Sequence, residues 1–187
     1  MSIDLKSGIV SVINGANNTV LHPVSLGGPL QFGRITYGIT FDPSNGYVYV
    51  TNFGRYIHVV SVINGANNTV VNTIPVGSEP YGVAFDSSNG YVYVANYNSS
   101  NVSVINGATN TVVDTVSVGL NPIGVTFDSS NGYMYVTNQG SGSVSILASP
   151  SKATPSGSSN VELYGIIGAV VAAAAIGSVV ALIRKRK

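Results

Sequence analysis

The residues best placed to do chemistry are three aspartates, Asp42, Asp86 and Asp128, which recur at spacings of 44 and then 42. Recurring carboxylates suggest paired acid–base groups or a calcium site. Their context, Asp-x-Ser-Asn-Gly, favours a different role, because Asp in such a turn caps nearby backbone N–H groups. Asn52, Asn96 and Asn138 recur in the same rhythm and are expected to cap the backbone after a strand. The two histidines, His22 and His58, occupy non-equivalent places, and a lone His is more often a turn residue than a ligand. The absence of Cys excludes a thiolate metal site, a Cys nucleophile and a disulfide scaffold. The residues form no catalytic constellation, and neither a metal nor an organic cofactor is expected.

Those aspartates sit inside a repeat. Ser11–Val20 reads SVINGANNTV, Ser61–Val70 repeats it letter for letter, and Ser103–Val112 reads SVINGATNTV. YGITFDPSNGYVYVTN from Tyr37 returns as YGVAFDSSNGYVYVAN from Tyr81 and IGVTFDSSNGYMYVTN from Ile123. The unit is about 42 residues long, with a two-residue insertion near Arg55–His58. In the middle copy, strands are expected at Gly82–Phe85, Tyr91–Val94, Val102–Ile105 and Val112–Val118. Asn-Gly turns follow the first and third of these. Four antiparallel strands every 40–45 residues is the period of a β-propeller blade. Gly38, Gly82 and Gly124 fall early in the first strand, which lies innermost in a propeller, where crowding favours a missing side chain. Alternation of Tyr with aliphatics at 47, 49, 91, 93, 133 and 135 predicts packing between blades, and exposed members would suit stacking on sugars.

Tyr49-Val50-Thr51-Asn52, Tyr93-Val94-Ala95-Asn96 and Tyr135-Val136-Thr137-Asn138 resemble the signature of YVTN-family β-propeller repeats. The SVINGATNTVV segment is similar to that family's consensus, and the middle copy departs at Ala95. The resemblance covers roughly residues 8–148. It implies an all-β chain of four-stranded blades and a surface-layer-like or cell-surface role of archaeal or bacterial type. Related propellers include lactonase-like and quinoprotein enzymes, so a fragment of a propeller enzyme is the alternative. By analogy of fold, a ligand would sit on the loops between blades and between second and third strands. The candidates there are Arg55, Tyr56, His58, Glu79, Tyr81, Tyr97, Asn98 and Asn121.

The repeats begin partway through a blade, since residues 7–12 align with residues 141–146. The expected order is two strands, then four, four and three. A closed propeller has at least four blades. The chain is therefore read as a fragment with a truncated start, or as copies that associate to complete a ring. An open three-blade array would expose its edges to aggregation. MSIDLKSGIVSV at the N-terminus shows no signal-peptide pattern, which favours truncation.

Composition fits this division. Only 8% of the 187 residues are charged, against about 25% in ordinary domains. Residues 1–148 carry Lys6, Arg34 and Arg55 against six acids, a balance that offers no basic face for nucleic acid. Residues 149–162 form a Ser/Thr/Pro linker suited to a stalk, and a spacer or a carrier of O-glycans. Residues 163–183 hold no charge and are long enough to cross a bilayer as a helix. Arg184-Lys185-Arg186-Lys187 follow at once. The positive-inside rule then sets the tail in the cytoplasm and the repeats outside. Gly165, Ala169, Ala173, Gly177 and Ala181 line one face of that helix and suit helix packing in the membrane, although an Ala-rich span creates such spacing by chance. Sequons at Asn17, Asn67, Asn98 and Asn101 suit N-glycosylation, and an Asn/Thr-rich repeat also produces them by composition. The expected partners are the membrane, a protein or glycan at the cell surface, and further copies of the chain.

Overall fold

A computed structural model describes residues 8–26 and 35–148 of the 187. The described residues are all-β. Each full repeat becomes one antiparallel sheet whose first and fourth strands form its two edges. The first full sheet contains β5 (Ile35–Asp42), β6 (Tyr47–Gly54), β7 (Ile57–Asn64) and β8 (Thr69–Pro75) in that order. The second contains β9 (Pro80–Asp86), β10 (Tyr91–Asn96), β11 (Asn101–Asn106) and β12 (Thr111–Ser117). The third is described as three strands, β13 (Pro122–Asp128), β14 (Tyr133–Asn138) and β15 (Ser143–Ala148). Before them lies a hairpin in four short pieces, β1 (Ile9–Val10), β2 (Ile13–Asn14), β3 (Thr19–Val20) and β4 (Val24–Ser25), with β1 paired to β4 and β2 to β3.

The hairpin is thus the third and fourth strands of a blade, each interrupted. The interruption has a counterpart in the full blades, where the third-to-fourth ladder shifts register between Val62 and Ile63 and between Val104 and Ile105. Val12 and Ile13 are the equivalent pair. Every strand of the second blade runs past the expected run of apolar residues at one end or both. Asn96 pairs with Asn101 and Tyr91 with Asn106, so polar residues close the ladders.

Blades pack face to face. Tyr49, Val60, Val62 and Ile74 of the first blade form one core with Val83, Val92, Val94 and Ile105 of the second. Tyr93, Val102 and Val104 of the second do the same with Met134 and Val136 of the third. The hairpin supplies Val24 and Leu26 against Val50 and Ile63. Burying each such side chain contributes about 1.5–3 kcal/mol.

The first strands lie side by side, as expected for innermost strands. A Cβ on Gly38 would clash with the Tyr81 carbonyl, and one on Gly82 with the Ile123 carbonyl. The Thr of the Tyr-Val-Thr-Asn motif ties these strands together. Thr51 Oγ1 accepts from the Gly38 N–H and donates to the Tyr81 carbonyl, both at 2.7 Å. Thr137 Oγ1 accepts from Gly124 N–H at 3.0 Å. Ala95 leaves this tie out of the middle blade.

The proposed linker at 149–162, the membrane span at 163–183 with its packing face, and the basic tail at 184–187 lie outside the described residues. Among the described residues no helix is long and apolar enough to cross a membrane.

Candidate functional site

The two ends of the blades differ in kind. At one end the first-to-second turns are near copies of each other. Asp42, Asp86 and Asp128 accept through Oδ1 from the backbone N–H and hydroxyl of Ser44, Ser88 and Ser130, at 2.8–2.9 Å and 2.6 Å. Asn45, Asn89 and Asn131 accept from the next Tyr N–H, and Gly46, Gly90 and Gly132 take φ of 74°, 80° and 74°. These aspartates cap turns. Asn52, Asn96 and Asn138 do not. They are buried and donate through Nδ2 to Ser61, Ser103 and Ser145 on the adjoining strand. The expected capping of nearby backbone N–H groups is therefore corrected: these amides donate to serines seven or nine residues on, across the second-to-third ladder, and Asn52 Nδ2 also reaches the Val50 carbonyl at 2.8 Å.

The opposite end carries the candidate ligand residues. Here the second-to-third loops and the connections between blades converge, and the repeat diverges. Position by position, Tyr37, Tyr81 and Ile123 are equivalent, as are Phe53, Tyr97 and Gln139, and Ile35, Glu79 and Asn121. In the first blade the insertion extends the hairpin to a tight turn at Arg55-Tyr56, between paired Gly54 and Ile57. The second blade turns through Tyr97–Ser100 instead, with Ser100 at φ 51°.

An open depression of about 450 Å3 at this end is lined by Ile35, Phe53, Gly54, Arg55, His58, Ser78, Glu79 and Asn98. Four of the eight candidates, Arg55, His58, Glu79 and Asn98, meet there. Glu79 holds φ 53° and its N–H donates to His58 Nδ1 at 3.2 Å, which leaves Nε2 to carry the imidazole proton. Its carbonyl accepts from Tyr97 N–H at 2.9 Å. The depression thus offers a guanidinium, a carboxylate and an imidazole N–H within one rim.

Beside it runs a row of aromatic rings. Tyr81 lies 4.3 Å from Tyr37, 5.1 Å from Phe53 in a stacked arrangement, and 5.0 Å from Tyr97. Burial among these rings, then the Glu79 charge, raises the Tyr81 phenol above its ordinary value. It stays neutral, a donor, well past neutral pH. Tyr37 and Phe53 were not singled out from the sequence. The alignment of repeats carries the signal for them, since it places Tyr37 opposite Tyr81 and Phe53 opposite Tyr97.

The remaining candidates are more peripheral. Tyr56 is exposed and carries the Arg55 guanidinium over its ring at 5.3 Å. Asn121 adopts φ 52° and donates to the Tyr97 carbonyl at 3.3 Å, so it braces the loop. Of the sequons, Asn17 and Asn67 lie in exposed turns and accept from Thr19 and Thr69. Asn98 is exposed on the loop end. Asn101 is half-buried, with Oδ1 held by Asn96 Nδ2 at 2.8 Å. Among the described residues no group of three His, Asp or Glu side chains is placed to hold a metal ion.

No family model matches the chain, and no curated protein does. Solved structures are similar in fold. Hydrazine synthase from Kuenenia stuttgartiensis superposes with a TM-score of 0.55 at 20% identity, over 60% of this chain and 32% of that one. A protein of unknown function from Bacteroides caccae superposes with a TM-score of 0.52 at 16% identity, over 70% of this chain and 47% of that one. The chain spans less than half the length of either. With the four-stranded antiparallel sheets, these likenesses make the fold β-propeller-like.

Proposed function

We propose that the chain is a membrane-anchored, extracellular propeller module of the YVTN type, and that its loop end binds a surface glycan. The observation that carries this reading is the asymmetry of the repeat. Near-identical turns cap one end, and divergence gathers at the other in the row Tyr37, Phe53, Tyr81 and Tyr97 beside Arg55, His58 and Glu79. Ring faces stack on the apolar faces of sugars, and a rim of charged and amide groups meets their hydroxyls. An open, shallow shape suits adhesion to a polymer. The anchor rests on the uncharged stretch 163–183 and the basic residues that follow it.

The test uses intact cells expressing the full chain with an epitope in the exposed turn 64–68. The epitope should be readable from outside, and fluorescent oligosaccharides from a mixed neutral and acidic panel should label the cells. Tyr81→Ala or Tyr97→Ala should each weaken labelling roughly five- to tenfold, the equivalent of about 1 kcal/mol per stacked ring. An epitope silent until the cells are opened would refute the extracellular placement. Labelling indifferent to both substitutions would refute the site. Turnover of a lactone, abolished by His58→Ala, would favour the enzyme-fragment reading instead.

A further inference from the structure

We infer that two copies of this chain join head to tail through the open faces of their first and third blades, closing a six-bladed ring. The inference goes beyond the glycan-binding reading and does not depend on it. It comes from comparing equivalent positions whose neighbours differ. On the face that each blade turns towards its successor, Val60 and Val102 are 0% exposed, whereas the equivalent Val144 is 55% exposed. Tyr49 and Tyr93 are buried in the same way, and Tyr135 is only half-buried. On the face turned towards the predecessor, Val83 is 9% exposed and the equivalent Ile39 is 58% exposed. Phe41 is exposed beside it, while Phe85 and Phe127 pack into the cores between blades. The same pair of surfaces is mated twice within the chain; at one end of the described array the hairpin covers Val50 and Ile63 but leaves Ile39 and Phe41 exposed, and at the other the face of the third blade is open.

Polar groups repeat the pattern. Between the first and second blades, Tyr49 OH bonds Asn110 Oδ1 at 2.9 Å, and Thr51 Oγ1 donates to the Tyr81 carbonyl. Tyr135 and Thr137 occupy the same places on the third blade. Set against a second copy they would meet Asn68 and the Tyr37 carbonyl. A depression of about 380 Å3 lined by Ile123, Thr137 and Val144, among others, marks where the next first strand would lie.

The chain already mates this pair of surfaces twice within itself, which makes a second copy the fitting occupant. Each copy contributes three first strands, β5, β9 and β13, among its described residues. Two copies together supply six, within the 4–8 blades of closed propellers. Each seam would be a composite blade. Among the described residues the hairpin has no first and second strands of its own blade, and the third blade has no fourth. The third-strand place is supplied twice, by β15 and by β1–β2. β15 holds a six-residue ladder with β14, whereas β1 and β2 hold two residues each. The Ile9–Asn14 arm therefore yields, and Thr19–Ser25 pairs with the free edge of β15.

The experiment measures the mass of the full chain in detergent by light scattering, with the bound detergent subtracted. The wild type should be a dimer, twice 19.2 kDa. Ile39→Asp spoils the head and Tyr135→Asp the tail, so each variant alone should be a monomer with an unchanged far-ultraviolet spectrum. Mixed in equal amounts, the two should recover a dimer, because one seam then joins two intact faces. If either Asp variant misfolds, Ile39→Ser and Tyr135→Ser make the same comparison. A monomeric wild type overturns the proposal, whether residues outside the described range or nothing at all covers the faces. Variants that both remain dimeric also overturn it, since association would then run through another surface, such as the 163–183 helix. A mixture that stays monomeric overturns the head-to-tail geometry.

Discussion

Glycine and aspartate in this repeat answer to local and distant demands in turn. Gly46, Gly90 and Gly132 are required by positive φ, which an Asn-Gly turn announces in sequence. Gly107 also follows an Asn, but the positive φ of its turn falls on Asn110, at 54°. A Cβ on Gly107 would lie 2.8 Å from the Gly90 carbonyl of its own blade and 2.8 Å from Asp42 Oδ2 of the preceding one. Nothing in the order of residues around 107 could reveal that approach. Asp128 was legible, since its partner Ser130 is two residues away. The Ser130 hydroxyl, then its backbone N–H, hold the Asp128 carboxyl below the usual value. A depressed carboxylate stabilises the fold above its unfolded pKa of about 3.9, and that contribution is lost as pH falls through the lower folded value. Asp128→Asn should therefore flatten the acid limb of Tm against pH below about pH 4 and leave the slope near neutrality alone. Parallel acid limbs in the two proteins would mean that the carboxylate contributes nothing there. The misread residues, Asn52, Asn96 and Asn138, needed knowledge of which strand lies beside them.

At the scale of elements, the strand sequence was legible because Tyr/Val alternation and the Asn-Gly turns both repeat. Strand ends were less so, because Asn96, Asn101 and Asn106 pair in ladders despite a low intrinsic preference for strands. The break within the N-terminal hairpin was not legible at all, since Val12-Ile13 is identical to Val62-Ile63, where a full blade tolerates the same shift as a bulge. The tie between first strands shows how one side chain sets the strength of a blade seam. Thr51 satisfies Gly38 N–H and the Tyr81 carbonyl at once, and Ala95 gives the second seam neither bond. Each such bond contributes about 1 kcal/mol net. Ala95→Thr should raise Tm by a few degrees, and Thr51→Ala should lower it by a similar amount, because a half-buried donor and acceptor would lose their partner. Thermal melts of the full chain check both. A fall with Ala95→Thr would show that the second seam is too tight for the extra atoms.

For the whole molecule, the number of described blades follows from counting repeats, but which of their surfaces remain open does not. Ile39 and Val83 are both aliphatic residues four places ahead of the Asn-Gly turn region in near-identical motifs, and only the structure separates exposed from buried. The loop end was partly legible for a related reason. The eight candidates came from its topology, yet the aromatic row joining Tyr37 and Phe53 to Tyr81 and Tyr97 exists only because adjacent blades bring their loops together. A nearest-neighbour array of this kind gains stability from each mated seam. If seams between copies close the ring, unfolding is linked to dissociation and Tm must rise with protein concentration. A tenfold increase corresponds to about 1.4 kcal/mol per mole of dimer, or a shift of a few degrees. The open faces are built mainly from Ile39, Phe41, Tyr135 and Val144, with the Asp128 carboxylate at the turn end of one, so most of the shift should persist at high salt. Ile39→Asp should melt at one temperature whatever its concentration. A wild type equally indifferent to concentration would mean that its seams are mated only within the chain.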